Sequence, residues 1–267
     1  MRRWIVPIFL PLGGTALVLA GVIYGGQALR SQLRQHDRYT TAFADIECTP
    51  PEGMKQAQFL EEVRRNADLP ERLPVLDEEL TGRLKVAFAQ HPWVEEVEEV
   101  QVGRDRRIEV HLRFRMPALV VPLADGTCPV DGNGVLLPAT ANVTGLPIWR
   151  GHSVLPGGKA GERWGDAALE GAAQVAGLLR PHQERMHLAA ALSTSGEVVL
   201  TTKNGSRILW GRAPGKEKEG EAAATVKCER LLEHCRRFGD LDHPDGACEH
   251  DVRGADKARV RSLRVGR

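Results

Sequence analysis

Residues 94–114 read VEEVEEVQVGRDRRIEVHLRF, a stretch in which apolar and polar residues alternate on both sides of a polar turn at 103–106. The alternating apolar positions are Val100, Val102, Ile108, Val110, Leu112 and Phe114. Successive side chains of a β-strand point to opposite faces, so this spacing predicts a hairpin with one buried face. The acidic residues of its first strand, which we expect on the solvent side, are Glu95, Glu96, Glu98 and Glu99.

Two amphipathic helices are predicted upstream of the hairpin. The first runs over 55–69, with its apolar residues on one face. The second follows Asp77, whose side chain suits an N-cap, and ends at His91-Pro92. The apolar stripes are Phe59, Leu60, Val63 and Ala67 in the first helix, and Leu80, Leu84, Ala87 and Phe88 in the second. With a short strand expected at 43–48, the order strand, helix, helix, strand, strand describes a compact α+β unit over 43–115.

The chain from 116 to 256 is richer in turns and predicts a second, β-rich domain with flanking helices. Its expected helices are Asp166–Leu179 and Ala222–Phe238; its expected strands include Leu188–Leu192, Glu197–Thr202 and Arg207–Gly211. The sequence Asp131-Gly132-Asn133-Gly134 is typical of a hairpin turn, because the later ligands of a calcium loop are missing. Residues 257–267 form a basic tail that we expect to fray.

An uncharged run from Trp4 to Leu29 precedes these domains, and a linker over 30–42 follows it. The run is long enough to cross a bilayer as a helix, with Trp4 and Tyr24 at the two interfaces, so residues 1–29 predict a short tail and a membrane anchor. A cleaved secretory signal is the competing interpretation, but the run is long for one and lacks a clear cleavage site. Arginines flank both ends, so charge alone leaves the orientation open.

Composition argues against several classes of function. The formal net charge is +1, which gives no global field for nucleic acid. No nucleophile with a neighbouring base and no paired acids on a common element stand out, so we expect neither an enzyme nor a small-molecule substrate or cofactor.

The C-terminal third contains a group of metal-ligand residue types, namely Cys228, His234, Cys235, His243, Cys248 and His250. Cys228 and Cys235 share one helical stripe with Leu231 and Phe238, which favours inert buried thiols over a zinc site. A disulfide from Cys248 to either of these cysteines remains the other alternative.

Several short motifs occur together in a recognisable order. They are His91-Pro92-Trp93-Val94 after the second helix, IEVHLRFRMP over 108–117, VDGNGVLL over 130–137, Leu146-Pro147-Ile148, and Asp251-Val252-Arg253 near the end. In this order, behind one spanning helix, they resemble the bacterial cell-division protein family FtsQ/DivIB. The resemblance implies a polypeptide-transport-associated (POTRA) domain at 43–115 and an FtsQ-type β domain at 116–256.

The resemblance also implies a function. Members of this family are non-catalytic, single-pass scaffolds of the division complex in the inner membrane, with the N-terminus cytoplasmic and the C-terminal domains extracytoplasmic. The expected partners are FtsB-like and FtsL-like membrane proteins, bound by strand addition at the C-terminal sheet edge. Asp251, Val252 and Arg253 are the residues expected at that edge. The alternatives are a membrane-anchored POTRA module of another export or envelope-assembly complex, and an anchored envelope enzyme.

Overall fold

The structure is a computed structural model that describes residues 39–103, 105–152, 155–242 and 246–263. The chain divides into two compact units, Met1–His91 with Glu96–Leu112, and Pro92–Glu95 with Arg113–Arg267. No helix within the described ranges is long and apolar enough to cross a membrane. The run from Trp4 to Leu29, with its interfacial residues Trp4 and Tyr24, lies outside those ranges.

The first unit is a small α+β structure. Its elements are β1 (Thr40–Ala42), α1 (Gln56–Asn66), β2 (Arg72–Pro74), α2 (Leu80–Ala89) and most of the hairpin β3 (Val94–Val102) and β4 (Ile108–Phe114). Strands β1 and β2 pair antiparallel, and Glu47 bridges β4 in parallel. The predicted helices and hairpin are confirmed.

Three details of this unit differ from the sequence prediction. The segment expected as a strand at 43–48 contains a 3-10 turn over Phe43–Asp45, and the strand β1 lies just before it. The turn allows the side chains of Phe43 and Ile46 to be buried in the core. The strand β2 was missed, since three residues ending in a proline give too short a pattern. Asp77 does not cap α2; it accepts a hydrogen bond from the Glu79 backbone N–H at 3.3 Å and pairs with Arg83.

Aromatic rings form the centre of the first unit. The Phe59 and Phe88 ring centroids lie 5.9 Å apart, and His91 meets Phe59 edge-on at 4.8 Å. Burial lowers the pKa of His91, although Glu62 Oε2 lies 3.3 Å from its Nε2. The stripes predicted on α1 and α2 therefore face each other in one core.

The second unit is built on an eight-stranded mixed sheet. Its strands are β5 (Pro117–Leu123), β6 (Gly126–Asp131), β7 (Ile148–Trp149), β8 (Leu188–Thr194), β9 (Glu197–Thr202), β10 (Arg207–Gly211), β11 (Cys248–Asp251) and β12 (Arg259–Ser262). Their spatial order is β12-β11-β10-β9-β8-β7-β5-β6. The helices are α3 (Ala167–Leu179), α4 (Gln183–Met186) and α5 (Ala224–Phe238). The predicted β-rich domain with flanking helices is confirmed.

Helix α3 packs closely on the sheet and shows why its glycines are tolerated. Asp166 caps it by accepting a hydrogen bond from the Leu169 N–H at 2.8 Å. A Cβ added to Gly177 would lie 2.7 Å from the Gly132 Cα, closer than side-chain contacts allow. Gly177 lowers the helix propensity of this segment, but a larger residue there would collide with the hairpin turn at Gly132.

Candidate partner-binding edge

The two edges of the eight-stranded sheet differ in how well they are protected. Strand β6 forms one edge, and it contains Pro129, which has no N–H to offer an added strand. The end of β6 is also covered, because Leu137 N donates to Pro129 O at 2.9 Å and Leu136 bridges Val130. These features block continuation of the sheet on this side.

Strand β12 forms the other edge, and nothing in the described part of the chain pairs with its outer side. Its inner side pairs antiparallel with β11, in the register Glu249↔Arg261 and Asp251↔Arg259. All four residues of β12 are exposed. An exposed edge strand presents unpaired N–H and C=O groups, and these can bind an extended segment of another chain.

The outward face of this end of the sheet carries the charges. Residues directly opposite each other in a sheet point to the same side, which places Arg207, Glu249 and Arg261 in one row across β10, β11 and β12. Glu249 pairs with Arg207 at 3.6 Å. Asp251 pairs instead with Arg253 at 2.9 Å, and the hydrogen bonds from Arg253 lower the pKa of Asp251. Each acid of β11 thus forms an ion pair with an arginine outside β12, and the charge of Arg259 on β12 adds to the lowering of the Asp251 pKa.

The opposite face of the same strands packs against α5. Ile208 and His250 are buried there, and Val260 continues the row at the edge. Val226 and Phe238 of α5 line a groove beside Val260, and the three side chains are 38%, 48% and 49% exposed in that order. An apolar groove therefore runs next to the open edge.

A single arginine of α5 fixes the turn between β11 and β12. Arg230 donates from Nη1 to Val252 O at 3.0 Å and to Gly254 O at 2.5 Å, and from Nη2 to Ala255 O at 2.8 Å. Hydrogen bonds from a charged donor are stronger than neutral ones. Arg230 of helix α5 thus holds the turn that places β12 antiparallel beside β11.

A buried ion pair holds the loop that leads from β10 into α5. The Lys227 side chain is 0% exposed, and its Nζ lies 2.6 Å from Glu221 Oε1 and 5.3 Å from the centre of the Trp210 ring. Burial by itself would raise the pKa of Glu221, but hydrogen bonds from Lys227 and from the Lys218 and Arg212 N–H groups lower it. A buried charge needs such partners to be tolerated.

The comparison with known families identifies this domain. The family model described as "Cell division protein FtsQ/DivIB, C-terminal" matches residues 120–239. The match supports the FtsQ/DivIB family for this part of the chain. No curated protein matches the chain.

The FtsQ/DivIB match covers the sheet from β5 to the end of α5. It therefore includes the helix that supports the open edge and ends before β11 and β12. The family is one of non-enzymatic division proteins that work with protein partners in the division complex.

The structure corrects the expected position of the free sheet edge. The sequence placed it at Asp251, Val252 and Arg253, but β12 covers β11, and Val252 is 1% exposed. The Arg253 carbonyl also accepts from the Ala222 N–H at 2.8 Å. Any direct role of these three residues in partner binding stays a prediction. The strand β12 was missed, because Arg259-Val260-Arg261-Ser262 contains a single apolar residue and gives no strand pattern.

The cysteines of the second unit are free thiols in the structure. Cys228 and Cys235 belong to the apolar core as the helical stripe predicts. Burial raises the pKa of Cys235 to about 11. Among the described residues no cluster of three or more ligand side chains is arranged to hold a metal ion.

Proposed function

We propose that this chain is a non-catalytic, single-pass membrane scaffold of the bacterial division complex, and that it binds FtsB-like or FtsL-like partners by strand addition to the outer edge of β12. The observation that carries the proposal is the open edge of β12 on a domain of the FtsQ/DivIB family. The anchor is the run from Trp4 to Leu29, with the N-terminus in the cytoplasm and both units outside it. The first unit serves as the POTRA-like domain.

The physical argument rests on the contrast between the two sheet edges. Main-chain hydrogen bonds supply affinity in strand addition, and neighbouring pockets supply specificity. Strand β12 offers both, because no described residue pairs with its outer edge and the groove of Val226 and Phe238 lies beside it. The β6 edge offers neither an N–H at Pro129 nor a free end.

In vivo photo-crosslinking tests where partners bind. A photoreactive residue at Ser262, on the open edge, should crosslink to a membrane protein of the division complex. The matched control is Thr127, an exposed residue of the β6 edge, which should not. Equal yields at the two positions would contradict binding at β12.

Depletion of the chain in its host tests the role in division. The expected phenotype is filamentation with failed septation. Normal division at normal cell length would overturn the proposal. Recovery of export or envelope-assembly components in the crosslinks, in place of division proteins, would favour the alternative of a POTRA module in another complex.

A further inference from the structure

We propose that the segment added to β12 carries two acidic residues at alternate positions, facing Arg259 and Arg261, with an apolar residue between them facing the groove of α5. The inference rests on the proposed function, because it specifies the partner of the same edge. It follows from the register of strands β10, β11 and β12 and from the ion pairs that the acidic residues of β11 already form.

The charges alternate in sign across the sheet. Arg207 on β10 lies opposite Glu249 on β11, and Glu249 lies opposite Arg261 on β12. Opposite charges directly across a ladder stabilise pairing, and like charges destabilise it. The position next in this row, on an added strand, is therefore suited to a carboxylate.

The two arginines of β12 are available for such a contact. Glu249 is engaged by Arg207, and Asp251 is held by two hydrogen bonds from Arg253. Neither Arg259 nor Arg261 makes an ion pair with a described residue, and both are exposed. The edge thus presents two exposed positive charges on one face, two residues apart, while the acids opposite them on β11 are already paired with other arginines.

The residue between the two acids is fixed by the period of a strand. Arg259 and Arg261 share the outward face, so Val260 points to the other face, where Val226 and Phe238 line the groove. An added strand has the same alternation. Its residue opposite Val260 therefore faces the groove, and an apolar side chain there buries surface that is otherwise exposed.

A second copy of this chain does not fit the requirement. Three of its stretches, 45–47, 96–98 and 240–242, read acidic, apolar, acidic in order. Their apolar residues are Ile46, Val97 and Leu241, which are 0%, 4% and 0% exposed and cannot enter a groove on another molecule. The partner is accordingly a separate protein with an acidic, apolar, acidic extended segment.

Peptide binding to the full chain in lipid nanodiscs tests the inference. The probes are three fluorescent nine-residue peptides that differ at two alternate positions, which are both Glu, both Gln or both Lys. We expect the Glu peptide to bind about five- to tenfold more tightly than the Gln peptide, the sum of two cross-strand charge pairs, and the Lys peptide most weakly. Higher salt should reduce the difference, since the contacts are exposed.

Variants of the chain assign the effect to β12. The double variant R259Q/R261Q should bind the Glu and Gln peptides equally, and R259E/R261E should prefer the Lys peptide. The matched control is Arg163→Gln, which removes an exposed arginine of the second unit outside the groove and should leave the preference unchanged. Circular dichroism of each variant checks that the sheet is retained.

The outcomes separate this inference from the proposed function. Equal binding of the Glu and Gln peptides to the native chain overturns the charge pattern while leaving β12 as a docking edge. A preference that survives in R259Q/R261Q overturns it as well. Absence of binding by all three peptides, together with failure of crosslinking at Ser262, overturns the docking edge itself.

Discussion

Arg253 binds Asp251 through two hydrogen bonds, from Nε to Oδ1 and from Nη2 to Oδ2, each of 2.9 Å. A third bond of 2.9 Å runs from Arg253 Nη1 to Glu197 Oε2 on β9. The motif that the sequence suggested for partner contact is therefore a link within the sheet. It ties the end of β11 to β9 and positions the turn that leads into β12.

Replacing Arg253 by Gln should raise the pKa of Asp251 toward its ordinary value of 3.8, because the hydrogen bonds from Arg253 are the main cause of its depression. In the native chain the folded pKa is the lower one. The contribution to stability is therefore present above the unfolded pKa and is lost as pH falls through the folded pKa. Carboxyl carbon NMR titration of Asp251 measures the shift. Arg207→Gln is the control, and an unchanged Asp251 pKa in R253Q would refute the assignment.

Breaking the Glu221–Lys227 pair from one side should be costly. Glu221→Gln leaves the ammonium of Lys227 buried with its countercharge removed, for which we expect a loss of about 3–5 kcal/mol in the free energy of unfolding. The double variant E221Q/K227M removes both charges and should cost less than E221Q alone. Urea denaturation gives both values, and a loss in E221Q below about 1 kcal/mol would mean that the pair is solvated.

Truncating Phe59 should destabilise the first unit. The ring contacts Phe88 and His91 in the core, so Phe59→Ala creates a cavity with an expected cost of about 3–5 kcal/mol. Val86→Ala on α2 is the control, since Val86 is 59% exposed and should lose well under 1 kcal/mol. Hydrogen exchange measured for individual segments of the first unit gives the loss of stability in each variant. Equal loss of protection in the two variants would contradict the assigned core.

Two thiols, the half-buried Cys48 and the buried Cys235, should resist alkylation in the folded chain. Burial raises the pKa of Cys48 and of Cys235 to about 11, which leaves about one thousandth as thiolate at pH 8. Mass spectrometry after iodoacetamide should show both unmodified in buffer and all five cysteines modified in denaturant. Rapid labelling of Cys235 without denaturant, or a thiol that reacts only after reduction, would contradict free buried cysteines.

The sequence alone determined the elements with strong periodicity. The hairpin at 94–114 follows from alternation, and α1, α3 and α5 follow from apolar stripes that need a sheet to cover. These patterns lie within single segments of the chain, so each can be recognised without knowing which segments pack against it. The ordered short motifs then indicated the FtsQ/DivIB family, which the match over residues 120–239 supports.

The tertiary structure alone decided which strand is the edge. The tail at 257–267 looked like a basic terminus, because Arg259-Val260-Arg261-Ser262 carries only one apolar residue within the strand. Pairing with Cys248–Asp251 makes it a strand, with Arg230 of α5 holding the turn. Such contacts join residues far apart in the chain, and no local pattern encodes them. Sequence determined that a C-terminal sheet exists, while long-range hydrogen bonding decided that its outer strand is β12 and not β11.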